Sequence, residues 1–198
     1  MSESFESLGG AIDGVLVWRN GLHADSRGWF RDLWRVSEDP TGPASPQFSP
    51  VQVSSSCSLR GVIRGLHYSV TEGSGAYYQT VSCVNGRASD VLLDLRTGSP
   101  TYMSHLLFDL HADADITLFV PPGVAHGFQA VEDQTLLVYT MSKGFAEART
   151  LSIRPDSPEL GFWSMDESTV ISDRDRFSPS LTEASERGLL PSWGLGEC

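Results

Sequence analysis

Ten short runs rich in Val, Leu and aromatic residues follow one another at intervals of roughly 10–15 residues, and no convincing amphipathic helix separates most of them. They are Val15–Arg19, Phe30–Val36, Val51–Ser55, Val62–His67, Gln79–Val84, Ser89–Leu95, His105–Leu110, Ile116–Val120, Gly127–Val131 and Leu136–Met141. Each is long enough for a strand and too short for a typical helix. A parallel βαβ sheet needs a long crossover after each strand, usually a helix. The pattern therefore predicts an all-β antiparallel sandwich or barrel. Helix is expected only in short turns and at Ser180–Gly188 (SLTEASERG). There Ser180 caps the start, Glu183 stands at the capping-box position and Gly188 ends the helix.

The chain has 198 residues, 40% of them hydrophobic. That is enough apolar mass for one domain, 1–198, burying roughly 70% of its extended-chain surface. Asp39–Pro50 and Glu72–Gly75 read as loops, and Asn85-Gly86 as a tight hairpin turn. The stretch after about Ile153, rich in Pro and Asp, reads as an arm wrapping the barrel, too short and loop-rich for a core of its own. The formal net charge of −11 argues against nucleic-acid polymers, which need a Lys/Arg footprint. A few Arg in a cleft still suffice for a small anion. Met1–Gly10 lacks a basic start and an apolar run, and the longest apolar stretches are strand-sized, so neither a leader nor a membrane span is expected. Cys57, Cys83 and Cys198 match no zinc or redox spacing, which points to a reducing cytoplasm. Cys57 and Cys83 read as small half-buried strand residues.

Three segments, with Tyr139 beside them, carry the residues suited to chemistry. In Gly61–Tyr68 (GVIRGLHY), strand alternation puts Arg64 and His67 on opposite faces, but a bend at Gly65 would bring both to one cavity. A core histidine beside a surface arginine is the plainer reading of that segment alone. In Phe119–Phe128 (FVPPGVAHGF), Pro121-Pro122-Gly123 turns the chain and His126 opens the next strand. Ser172–Asp175 (SDRD) supplies carboxylates, and Tyr139 in LLVYTMSK a separate phenol. A neutral His held by a carboxylate is the usual general-base arrangement, and a Tyr opposite can give the proton. The five histidines (His23, His67, His105, His111 and His126) are scattered without an HxH pair, which disfavours a metal site.

Taken in order, DSRGWFRD (Asp25–Asp32), GVIRGLHY, ASDVLLDLRTGSPTY, VPPGVAHGF, VYTMSKGF and SDRDRFSPSLTEASERGLLPSW resemble the nucleotide-sugar 3,5-epimerases that act on dTDP-4-keto-6-deoxyglucose, particularly actinobacterial members. The resemblance runs from about Gly14 to Trp193. It implies a cupin-type double-stranded β-helix jelly roll with short C-terminal helices, a homodimer, no metal or redox cofactor, and a dTDP-linked 4-keto-6-deoxysugar as substrate. A C4 ketone acidifies C3–H and C5–H, so a base can form an enolate and an acid can reprotonate the other face. By the resemblance the base is His67, its orienting carboxylate Asp175 (with Asp173 a second reading) and the proton donor Tyr139. Diphosphate contacts fall on Arg27 and Arg64, whose guanidinium forks suit phosphate oxygens. Base and sugar contacts fall on Gln52, His126 and Arg174. Trp29 and Phe30 stand as thymine-stacking or core residues, and Asp32 replaces the family's usual Glu.

The departures concern the pocket. Gln79 stands where the family has a Lys that stabilises the enolate oxyanion, so a donor remains and a full charge is gone. Phe145 replaces a second Tyr, Ser54 an Asn and Thr150 a Glu. These changes imply an epimerase of altered regiochemistry or substrate, inverting C3 and/or C5 and, in the narrower reading, a single centre in an antibiotic deoxysugar pathway. The alternatives are a jelly-roll 3,4-ketoisomerase, a non-catalytic sugar-nucleotide-binding protein and a metal-dependent cupin.

Overall fold

The computed structural model describes residues 11–34, 48–71, 76–144 and 146–194. Its strands are β1 (Leu16–Arg19), β2 (His23–Asp25), β3 (Gly28–Phe30), β4 (Gln52–Ser58), β5 (Val62–Ser69), β6 (Gln79–Asn85), β7 (Arg87–Asp94), β8 (His105–His111), β9 (Ile116–Val120), β10 (Val124–Ala130), β11 (Thr135–Met141), β12 (Thr150–Ser152) and β13 (Val170–Ile171). Two helices follow, α1 (Asp173–Arg176) and α2 (Leu181–Glu186). One sheet runs β1-β9-β6-β11-β4. The other runs β12-β5-β10-β7-β8, with β13 added in parallel to β5, and β2 and β3 pair as a separate hairpin. From β5 to β12 the chain changes sheet at every connection except β7–β8. This is the jelly-roll winding of a cupin.

Burial explains why the six-stranded sheet reads as continuous apolar sequence. On β7, Ala88 and Leu92 face the space between the sheets with Val17, Val81, Leu118, Phe128 and Leu137. Val91 and Leu93 face the other way, under Ile153, Trp163, Leu181 and Ala184 of the C-terminal segment. A strand covered on both faces loses its polar alternation. Helix α2 has the expected start. Ser180 Oγ accepts from the Glu183 N–H at 3.1 Å, and the Glu183 carboxylate accepts from the Ser180 N–H at 2.7 Å.

Three local expectations need correction. Asn85-Gly86 is not a hairpin turn, because β6 and β7 lie in different sheets and pair with other strands. Gly86 (φ +70°) carries the crossover, where a Cβ would stand 2.8 Å from Thr135 Oγ1. The strand expected over Phe30–Val36 stops at Phe30, and its last two residues lie outside the described set. Beyond Phe30 the backbone follows the buried Arg31, whose guanidinium donates to Ala112 O at 2.7 Å and Cys83 O at 2.8 Å. Cys57 is exposed on β4 while Cys83 is buried, and both thiols are free. The Asp39–Pro50 loop is described only from Phe48, and Glu72–Gly75 and Cys198 lie outside the described residues.

Candidate active site

An unbroken β5 would separate Arg64 from His67. Its pairing with β10 sets His67 against His126 and Arg64 against Phe128, so three steps along β5 match two along β10. The extra residue is a β-bulge, and it restores the two side chains to a common face. Gly65 makes the bulge possible. Its φ is +120°, and a Cβ there would lie 2.7 Å from Gly127 Cα and 2.8 Å from His126 O. Arg64 and His67 accordingly line one cavity of about 230 Å³, open between the two sheets.

His67 Nε2 lies 2.6 Å from Asp175 Oδ1. In the neutral ring that bond assigns the proton to Nε2 and leaves a lone pair on Nδ1. Asp175 is placed by α1, where its own N–H donates to the Ser172 capping hydroxyl at 3.2 Å, and its second oxygen accepts from the Gly65 N–H at 3.5 Å. Burial pushes the Asp175 carboxyl up, but the His67, Ser172 and Gly65 hydrogen bonds outweigh it and hold the group below the usual carboxylate range. It stays ionised, able to steady an imidazolium. Asp173, the second reading, is exposed at the helix start.

Tyr139 enters from β11, in the sheet facing His67. Loss of water around the phenol pushes its pKa up to about 12, only partly offset by the Ser56 hydroxyl 3.2 Å away. The phenol is therefore protonated at neutral pH and free to give a proton. Beside it, the His126 ring stands edge-on at 6.3 Å between centroids. His126 Nε2 lies 2.8 Å from Oδ2 of Asp90, a fully buried carboxylate whose Oδ1 has no partner among the described residues. Burial raises the Asp90 carboxyl, and His126 works against that shift. Arg64 and Arg174 line the cavity from exposed positions. Arg64 Nε donates to Ser58 Oγ at 3.0 Å, and Arg174 Nη2 to Thr150 Oγ1 at 3.3 Å, so neither guanidinium is consumed by a carboxylate in the site.

The cavity thus collects Gln52, Ser54, Arg64, His67, Gln79, His126, Tyr139 and Arg174, with Asp175 directly behind His67. It does not collect Arg27, Trp29, Phe30 or Asp32. Arg27 is exposed and pairs with its own neighbour Asp25 at 2.5 Å. Trp29 and Phe30 are exposed on the β2–β3 hairpin, and Asp32 is half-buried away from the lining. Phe145 lies outside the described residues. Sequence reasoning passed over Asp90 and Ser56 as site residues. Asp90 carries a weak signal, a charge inside an apolar strand. Ser56 carries none beyond its period-two place among serines. The motif DLRTGSPTY is structural, because Asp94 accepts from Arg96, Ser99 and Thr101 around one turn. Among the described residues, no three His, Cys, Asp or Glu side chains converge to hold a metal ion.

Chemically, the site offers a carboxylate-held base from one sheet, a protonated phenol from the other and cations at the mouth. That is the equipment for taking a proton from one face of a carbon acid and delivering one to the other. The family model of dTDP-4-dehydrorhamnose 3,5-epimerase matches residues 10–183. The chain belongs to this epimerase family. A Streptomyces griseus dTDP-4-dehydrorhamnose 3,5-epimerase is 35% identical over 184 residues, covering 92% of this chain and 90% of that protein. The crystal structure of NovW, a 4-keto-6-deoxy sugar epimerase from the novobiocin biosynthetic gene cluster of Streptomyces spheroides, superposes with a TM-score of 0.88 at 29% identity, covering 100% of this chain and 98% of that one. ChmJ, a 3'-monoepimerase from Streptomyces bikiniensis in complex with dTDP-quinovose, superposes with a TM-score of 0.80 at 33% identity, covering 93% of this chain and 92% of that one. The protein is an epimerase of the isomerase class, which sets aside the non-catalytic and ketoisomerase alternatives. No described helix of this epimerase is long and apolar enough to cross a membrane.

Proposed function

We propose that the epimerase acts on a dTDP-linked 4-keto-6-deoxyhexose, without cofactor. His67 removes a proton next to the C4 ketone, Asp175 steadies the imidazolium, and Tyr139 protonates the opposite face. The observation that carries this reading is the His67–Asp175 pair and the Tyr139 phenol entering one cavity from facing sheets. Arg64 and Arg174 at the mouth support diphosphate binding, as Arg forks match phosphate oxygens. The free thiols support a reducing cytoplasm.

Within this reading, inversion is confined to one centre. Gln79 offers the enolate a neutral amide where the family resemblance implied an ammonium, and the similar ChmJ is a 3'-monoepimerase. Incubation with dTDP-4-keto-6-deoxyglucose in D2O tests both levels by NMR. Deuterium and inversion at one carbon are expected. No deuterium at either carbon overturns the epimerase reading, and inversion at both C3 and C5 overturns the single centre.

The enzyme works as a homodimer in this reading. Support comes from β4, the edge of its sheet, whose outward face exposes Val53 (67%), with Val51 (64%) exposed just before the strand begins. It also comes from the hairpin residues Arg27, Trp29 and Phe30, which stand away from their own cavity.

A further inference from the structure

The inward face of β4 carries three serines at a spacing of two, Ser54, Ser56 and Ser58, while the alternate residues Val53, Ser55 and Cys57 are exposed, Ser55 at the edge of the cavity. Each inward serine meets one polar side chain of the cavity. Ser54 Oγ accepts from Gln52 Nε2 at 2.9 Å, and Ser58 Oγ accepts from Arg64 Nε at 3.0 Å. Ser56 Oγ lies 3.2 Å from the Tyr139 hydroxyl, its hydrogen-bond partner among the described residues. Strand propensity would place β-branched or aromatic residues here. The backbone register pairs Tyr139 with Ser54 and sets Ser56 opposite Leu137, so the phenol reaches diagonally to Ser56 past the serine facing it.

We propose that Ser56 is a positioning residue for Tyr139, fixing the phenol for proton delivery and holding the phenolate that delivery leaves behind. The proposal rests on the epimerase reading above. In the delivery step the Tyr139 O–H bond breaks and its proton passes to the carbanionic carbon. The enolate electron pair becomes the new C–H bond, and the C4 carbonyl re-forms. The negative charge moves to the Tyr139 oxygen in a site poor in water, where a phenolate without a donor is costly. The Ser56 hydroxyl rotates to donate to it, a charge-assisted bond stronger than the one to the neutral phenol. The His67 imidazolium then loses its proton to solvent and the phenolate regains one, restoring the enzyme.

Ser56→Thr and Ser56→Val have nearly the same shape and differ in the hydroxyl, so together they isolate it. With dTDP-4-keto-6-deoxyglucose in D2O, two rates are read. Deuterium entering with retained configuration reports His67 alone, and inverted product reports delivery by Tyr139. Ser56→Thr is expected to keep the parental ratio of inversion to exchange. Ser56→Val is expected to lower that ratio about 10- to 150-fold, the worth of a hydrogen bond to a charged group. A merely structural role would lower both rates together, so a parental ratio in Ser56→Val overturns the proposal whether or not the rates fall. If that variant does not fold, Ser56→Ala is read by the same criterion. A parent enzyme that incorporates no deuterium has a different signature and overturns the epimerase reading itself, and this proposal with it.

Discussion

Asp175→Asn removes the charge behind the base while leaving the volume nearly unchanged. Asp175 is 3% exposed and its carboxylate meets His67 at 2.6 Å, so the lost contact is short, charged and shielded from water. A hydrogen bond to a charged group is worth about 1.5–3 kcal/mol, or roughly 10- to 150-fold in rate if felt fully in the transition state. It is felt there more than in the ground state, because the imidazolium exists only after the proton has moved. The amide can also turn its NH2 toward Nε2, which forces the His67 proton onto Nδ1 and removes the lone pair the reaction uses. Solvent deuterium incorporation into the 4-keto sugar should therefore fall about 100-fold or more. dTDP affinity, read by calorimetry, should stay within about threefold, since Asp175 does not line the cavity. The linkage sign gives a second readout. The native Asp175 pKa is lowered, so its contribution to stability is present above the unfolded carboxylate pKa and lost as pH falls through the native value. The Asn variant should be less stable near neutrality and should show a shallower fall in stability below about pH 4. A folded Asp175→Asn enzyme that exchanges deuterium at the parental rate would refute the assignment of His67–Asp175 as the base.

Gly65→Ala should lower the melting temperature by roughly 4–12 °C, since the φ of +120° and the 2.7 Å approach to Gly127 Cα together cost about 2–3 kcal/mol. Exchange should fall with it as Arg64 and His67 lose their common face, and an unchanged melt with parental exchange would show that the bulge is dispensable. Val53→Asp, on the outward face of β4, should leave the protomer fold intact and shift sedimentation from dimer to monomer. A parent that sediments as a monomer, or a variant that still sediments as a dimer, removes β4 as the interface.

The strands were legible because they are built from β-branched and aromatic runs bounded by Gly and Pro, and such runs seldom do anything else. The capping box at Ser180 and Glu183 was legible because both partners lie within one turn. What escaped needed partners far along the chain. Asn85-Gly86 has the chemistry of a tight turn, but whether its flanking strands pair is decided by β9, β10 and β11, which compete for them. Phe30–Val36 reads as a strand until Arg31 finds carbonyls 52 and 81 residues away. In the site, ordered motifs gave His67, Asp175 and Tyr139. The Asp90–His126 pair needed the β7–β10 register, which places Asp90 opposite Phe128 and lets His126 reach it diagonally.

That second pair bears on how a chain of net charge −11 can receive a diphosphate. Charge matters to a ligand through distance and screening, and both are arranged by depth here. Two carboxylates beside the cavity, Asp175 and Asp90, sit behind His67 and His126, each bonded to the imidazole in front of it. What the ligand meets at the mouth is Arg64 and Arg174, tied to a serine, a threonine and a backbone carbonyl, none of which neutralises them. Deeper in, Gln79 and the Tyr139 phenol are neutral donors. In the proposed mechanism, an enolate forming between His67 and Tyr139 has as its immediate counter-charge the imidazolium it has just created. On that proposal the reaction depends on Asp175, 2.6 Å from His67, keeping the imidazolium in place until Tyr139 delivers its proton.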